Sequence, residues 1–483
     1  MQTRRDLYQA HKLMTQRLGM ALLQGEPDVS ESPMRRHNTA MFGGILVAVL
    51  VTAVFGVIGL IRPGNATGLT EPGNLIVEEE TGAIYVYSAP QKKMIPVTNV
   101  TSARLLLNTQ DVKVRAVTAA SLATYDRGTL VGILGAPESL PARDRLVRAP
   151  WSVCVAEGVD TNGERKPYTS LIGGFRVGGA PVEQGSAMVV REKEGSQAWL
   201  LWANQRLKVA ARTVRALTQE QPRQVPAAWL NALPEGHVFE GPAIPGLGGP
   251  ARGPDGRRSA VGRVFTVPPV AGGPAKWYVL LADGLADISP LQATLLLADP
   301  AIKQAYGRAE PLPKEIAPAT ANGAKQSGTR LGVSGLPASM PRIVSSSPTS
   351  PLCAVYSDTE RGSTQATLTI GSTAPLPQPP KGWFNQDVAD RVTLSRGAGA
   401  LVGVLPGNGR TEAMRPLYLI GDQGRRHAIL SADTLPSLGY ELKDVAPLPT
   451  QIVKLIPEGP ALDPAAAKAP VQIAPSAVAP PRQ

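Results

Sequence analysis

The hydrophobic pattern of the chain is dominated by one run, Thr39 to Ile61, twenty-three residues with no charged side chain. At a helical rise of about 1.5 Å per residue this run reaches about 34 Å, enough to cross a hydrocarbon core of roughly 30 Å with some tilt. A different period precedes it. Over residues 3–24 the apolar positions Leu7, Met14, Leu18, Ala21 and Leu22 fall on one helical stripe, with Thr3 placed to cap the start and Gly25 and Pro27 to end it. So short a helix cannot bury its stripe against itself, so it lies on the membrane surface or docks on a cytoplasmic partner. Residues 26–38, with Pro27, Pro33 and mixed charges, read as a linker.

After the apolar run the pattern becomes repetitive. Four stretches share one order: an apolar strand, a polar loop, an aromatic-bearing strand, a tight turn, a short strand and a helix. They run Leu75 to Leu107, Ala187 to Leu217, Arg263 to Leu297 and Ala400 to Leu438, with Tyr85, Trp199, Trp277 and Tyr418 in equivalent places. Strand-borne aromatics at repeated positions point to sheet packing rather than to ligand binding. The spacings from Tyr85 to Trp277, Trp199 to Tyr418 and Cys154 to Cys353 are 192, 219 and 199 residues, so the chain reads as two related halves. The segments around the cysteines, 151–174 and 351–372, resemble one another and belong to a shared core. A pseudo-twofold body of α+β, β-rich character follows, spanning residues 62–456. Residues 308–351 read as a surface linker between the halves, and residues 457–483, rich in Pro and Ala, as a disordered tail.

Composition sharpens this picture. Gly and Pro together account for 95 of 483 residues, which disfavours a helical bundle and suits short strands joined by turns. Arg4, Arg5, Lys12, Arg17, Arg35 and Arg36 precede the apolar run, whereas Arg62 is the single basic residue between it and Lys92. The positive-inside rule therefore sets residues 1–38 in the cytoplasm and the body outside, in a single-pass membrane protein. The net charge is +11, but the basic residues are scattered and do not alternate with aromatics, so nucleic acid is not an expected partner. Within the span, Ala40, Gly44, Ala48, Thr52 and Gly56 recur every fourth residue and form a small-residue face suited to helix pairing, with itself or with a partner. The only cysteines, Cys154 and Cys353, both follow the span. In an oxidising compartment a disulfide is the favoured state, with two separate buried thiols as the alternative.

Candidate chemistry is sparse. No GxxxxGK[ST] loop occurs; the nearest glycine-lysine stretch, GGPAKW from Gly272, lacks the spacing and the hydroxyl. His11 and His37 precede or enter the span, which leaves His237 and His427 in the body, with no metal or nucleophile constellation around them. Glu78, Glu79 and Glu80 suit a solvated run better than acid/base work. No catalytic, cofactor-binding or metal-binding residue is assigned.

The order of these features resembles the EccB family, the single-span B component of actinobacterial type VII (ESX) secretion machinery. The resemblance is carried by ALLQGEP at 21–27, SPMRR at 32–36, GLIRPG at 59–64, PVTNVTSARLLL at 96–107, GILGAPESLP at 132–141 and WSVC at 151–154. It implies an extracytoplasmic body of four α/β repeats around a central β core, like a distorted propeller, with a core disulfide between the two cysteines. It also implies assembly with the EccC, EccD and EccE subunits, EccC being the motor ATPase, and self-association. The expected function is structural: an assembly component linking cytoplasmic motor parts to the periplasmic face of an export channel. Some family members are labelled ATPases, which makes a nucleotide-hydrolysing subunit one alternative, with ATP as its cofactor; an envelope-polymer-binding module is another.

Overall fold

Alternation of side chains along the body strands sorts them into sheets buried on both faces. In a computed structural model, which describes residues 3–24, 33–61, 68–269, 272–332, 335–380, 387–406, 409–411 and 414–472, the chain divides into two units. The first comprises Met1–Met94 and Lys113–Arg127, the second Ile95–Val112 and Gly128–Gln483.

The first unit holds two helices, Arg4–Gln24 and Pro33–Ile61. The first matches the expected amphipathic helix, and the Asp6 carboxylate closes its start by accepting from the Thr3 backbone N–H at 3.0 Å. The second begins at Pro33, six residues before the expected span, so the linker is shorter than expected. Proline is tolerated in a first helical turn because its missing N–H would have no partner there, and the helix continues out of the apolar run. Residues 25–32 lie outside the described residues. The remainder of the unit is built on Leu69, Ile76, Tyr85, Met94, Val117 and Leu122, which pack together.

The four repeats share one topology, fullest in the second. Ser186–Glu192, Ala198–Trp202 and Gln205–Val209 form an antiparallel meander, and a helix, Ala211–Leu217, carries the chain back to Arg223–Val225, parallel to the first strand. The tight turn between the second and third strands places Ala203 and Asn204 at φ 47° and 61°, the left-handed pair that matches strand twist in a two-residue hairpin. A short helix, Ala227–Asn231, follows, and then Glu235 and Phe239 bridge in parallel to Arg206 and Val209. The same strand order, third-second-first-fourth, recurs in the sheets that begin at Asn74, Val264 and Ala400. Each copy therefore extends beyond the helix at which the sequence pattern ends it.

Alternation explains why these sheets are buried on both sides. Met188, Val190, Trp199 and Leu201 face one core with Trp151 and Val153, while Ala187, Val189, Leu200 and Leu207 face another with Val214 and Leu291. In the fourth repeat Ala400, Val402 and Ile420 join the first of these cores, and Leu401, Leu417 and Leu419 pack with Leu105 and Leu438.

The two cysteine segments meet in a six-stranded sheet ordered Arg391–Thr393, Arg165–Gly173, Trp151–Val159, Leu352–Tyr356, Thr367–Ser372 and Gly178–Pro181. Cys154 faces Cys353 across its central antiparallel pair. Cys154 also faces Ser170 and Cys353 faces Thr369, sixteen positions on in each case, so the two hairpins have matching register. The outermost strands are exchanged: the segment from the second half borders the first hairpin, and the segment from the first half borders the second. Gly179 allows the latter approach, since a Cβ there would lie 2.4 Å from the Ile370 carbonyl oxygen.

Two expectations are corrected. The segment 308–351 is not a plain linker: Lys314–Glu315 is the fourth strand of the third repeat, Pro318–Gly323 the helix that follows it, and Arg342–Ile343 a further strand beside Ser186–Glu192. Strands of two residues carry no readable period, which is why composition misleads there. The disordered tail does not begin at Pro457. Glu458 and Leu462 bridge to Arg426 and Ile429, Asp463 caps the helix Pro464–Lys468, and Pro470 bridges to Val131. Alanines in so short a helix leave no amphipathic stripe, yet Leu462 and Ala467 are fully buried. Residues 473–483 of the expected tail lie outside the described residues. The four repeat sheets are separate from the central six-stranded sheet, and among the described residues no closed barrel or propeller is shown.

Because Leu462 packs with Leu419 and Leu438, Leu462→Ala is expected to destabilise the body by about 3 kcal/mol, read as a lowered denaturation midpoint. A disordered tail would give no change.

Candidate functional site

The acids and the buried histidine that the sequence brings to notice serve structural roles in the body. Glu78 is buried and accepts from the Tyr85 hydroxyl at 3.1 Å, with the Arg127 guanidinium 3.8 Å away. Burial and this bond push the Tyr85 hydroxyl above its usual range. Glu80 caps a short helix by accepting from Ala119 N at 2.9 Å, and Glu79 is exposed. The three acids thus have separate roles and do not converge.

His427 is also structural. It is 1% exposed on the third strand of the fourth repeat, with Nδ1 2.9 Å from the Pro460 carbonyl oxygen, and Gly459 leaves room for its ring. Burial lowers its pKa below the ordinary histidine value. Protons then bind the unfolded chain more readily than the folded one, so this contribution is complete above about pH 6.5 and is lost as pH falls toward the lower folded pKa. The melting temperature is expected to fall between about pH 7 and pH 5, and less steeply in His427→Gln; equal slopes would contradict this assignment. His237 packs against Gly335, and among the described residues no group of three or more His, Cys, Asp or Glu is placed to hold a metal.

The repeated aromatics carry a feature that sequence reasoning missed. The Arg206 guanidinium lies 4.7 Å from the centre of the Trp199 ring and pairs with Glu235 at 3.0 Å. Arg426 lies 5.3 Å from the Tyr418 ring and pairs with Glu458 at 2.5 Å. Each arginine is on the third strand of its repeat and each glutamate on the closing bridge, so the pair fastens the end of the repeat over its aromatic. The first repeat is arranged differently: Arg127 is on the closing bridge, 5.5 Å from Tyr85, and its acid, Glu78, is on the first strand. The signal was present in the sequence as PEG at 234–236 and again at 457–459. The aromatics otherwise pack as expected, with Tyr85 and Trp199 buried and Trp277 and Tyr418 half-buried.

The two cysteines are joined, Cys154 to Cys353, with S–S 2.02 Å and neither residue exposed. Ile172, Val177 and Val355 pack around the bond.

The apolar helix presents a different kind of surface. His37–Gly59 has mean hydropathy 2.6, and none of it is buried. Ala40, Gly44, Ala48, Thr52 and Gly56 all lie on this helix and are exposed, with open space around Gly44 and Gly56. The Thr52 hydroxyl donates to the Ala48 carbonyl oxygen at 2.7 Å, so its polarity is satisfied within the helix. On the preceding helix Leu7, Met14, Leu18 and Leu22 are exposed as well.

Comparison with known proteins gives these surfaces a context. The family model described as "Type VII secretion system ESX-1, transport TM domain B" matches residues 1–475. The chain is 28% identical over 461 residues to the ESX-3 secretion system ATPase EccB3 of Mycolicibacterium smegmatis, covering 89% of this chain and 83% of that protein. It is 29% identical over 451 residues to the ESX-2 secretion system ATPase EccB2 of Mycobacterium tuberculosis, covering 88% and 87%. Among solved structures it is similar to a chain of an intact ESX-5 inner membrane complex, with TM-score 0.61 and 24% identity over 100% of this chain and 98% of that one. It is also similar to a chain of an EccB3 dimer from the ESX-3 core complex, with TM-score 0.58 and 24% identity over 81% and 99%.

Proposed function

The chain belongs to the EccB family of type VII (ESX) secretion membrane proteins, and from that premise we propose that it is a non-enzymatic assembly component of the inner-membrane export complex. It joins cytoplasmic parts, bound through Arg4–Gln24, to a body on the periplasmic face, with the N-terminus inside. Its partners in this reading are the EccC, EccD and EccE subunits and a second copy of itself. The observation that supports the reading best is the wholly exposed apolar helix with its small-residue face, a surface that calls for lipid and close helix neighbours. The matching register of the two cysteine hairpins supports a body of two related halves. We assign no cofactor: the relatives carry the word ATPase in their names, but this sequence contains no GxxxxGK[ST] loop, and the body's conspicuous acids and His427 serve packing.

Deleting the chain from its cells tests the proposal. The large membrane complex seen on native gels should be lost along with export, and complementation should restore both. Export that stops while a complex of unchanged mass persists would contradict it.

A further inference from the structure

The third repeat carries a groove of about 880 Å³ between a surface ribbon and the turn that joins its second and third strands. The ribbon pairs Pro250–Arg252 with Arg258–Ala260, and its register sets Arg252 directly opposite Arg258. Like charges facing each other across an antiparallel pair are destabilising, so packing and ribbon stability give no reason for this arrangement. The nearby carboxylates do not relieve it. Asp255, in the ribbon turn, pairs with Lys314 at 3.0 Å and accepts from Arg257 N at 3.2 Å. Asp283, on the groove wall, accepts from the Ser327 hydroxyl at 2.7 Å and from Gly328 N at 3.2 Å. The hydroxyl bond, with a weaker pull from Lys325, holds Asp283 below the usual carboxylate range. Arg252 and Arg258 themselves make no ion pair or side-chain hydrogen bond among the described residues, and both line the groove together with Lys325.

From this juxtaposition we infer that the groove binds a phosphate-bearing ligand, with one phosphate bridging Arg252 and Arg258 and Lys325 supplying a third positive charge. A carboxylate offers two oxygens and one charge, and a single guanidinium fork fills it. A phosphate offers more acceptor oxygens and up to two charges, so it can take forks from both arginines and cancel their repulsion. The groove is larger than one phosphate, and Pro250, Pro254 and Leu285 on its lining leave room for an apolar part of the ligand or for further phosphates along a chain. Two sources share this chemistry, a phosphomonoester carried on an envelope polymer and a free oligophosphate. The inference does not depend on the assembly role.

Isothermal titration of the full chain in mild detergent at physiological salt, with inorganic tripolyphosphate as the probe, tests it. Saturable one-to-one binding is expected, and the double variant R252Q/R258Q should weaken it at least about tenfold, the loss that one charged hydrogen bond of roughly 1.5 kcal/mol represents. The control R308Q, an exposed arginine that does not line the groove, should bind as the wild type does. A second readout separates binding from folding: without ligand, Arg252→Gln should melt at or above the wild-type temperature, because it removes a repulsion. A phosphomonoester-bearing polysaccharide that displaces tripolyphosphate supports the site with the polymer as source, and failure to displace it supports the site with a free oligophosphate as source. Absence of saturable binding, an equal loss in R308Q, or displacement by polyglutamate at matched charge would each overturn the inference.

Discussion

Removing the disulfide with Cys154→Ala and Cys353→Ala is expected to lower the stability of the body by roughly 5 kcal/mol, the chain-entropy value for a closed loop of 199 residues. The bond joins the central strands of the six-stranded sheet, one from each half, so the reduced chain loses the covalent link between segments that otherwise meet only after folding. Urea denaturation of the full chain in detergent reads the effect, and the reduced wild type should match the double variant. Because both cysteines are fully buried, reductant should act on the native protein only as fast as the sheet opens. An unchanged midpoint would show that the hairpins and the cores behind them suffice to hold the halves together.

Replacing Gly44, Ala48 and Gly56 together with leucine should leave the protein in the membrane, since leucine only raises the apolarity of the span. Close helix approach should be abolished, because open space around Gly44 and Gly56 would be filled by branched side chains. Recovery of the native-sized complex from these cells should fall at least tenfold, at unchanged amounts of membrane-inserted chain. Assembly at the wild-type level would reduce the segment to a tether.

The parts of the fold legible in the sequence were those with a period long enough to read. The apolar run, the amphipathic helix before it and the strand-strand-strand-helix order of each repeat all carry many residues per signal. What escaped was short or non-local. Lys314–Glu315 has two residues, and its strand character exists only in its pairing with Phe265 and Thr266. The exchange of outer strands in the central sheet depends on partners some two hundred residues apart, which hydropathy does not encode. The closing segment of the fourth repeat was hidden by its Pro and Ala content, although the Pro-Glu-Gly at 457–459 copies that at 234–236. For the candidate site, the small residues at every fourth position of the span were readable from spacing, and the cysteine pair from there being only two cysteines, both after the span. The arginines that cover Trp199 and Tyr418 were not, because each depends on a glutamate brought in from the end of its repeat.

Purification of the intact protein from its own membranes in mild detergent tests most directly whether the chain is built for assembly. Native mass measurement with identification of every co-purifying chain should give a multi-subunit complex containing the EccC, EccD and EccE subunits and more than one copy of this chain. Recovery of a lone monomer, with those subunits present in the same membranes, would contradict it.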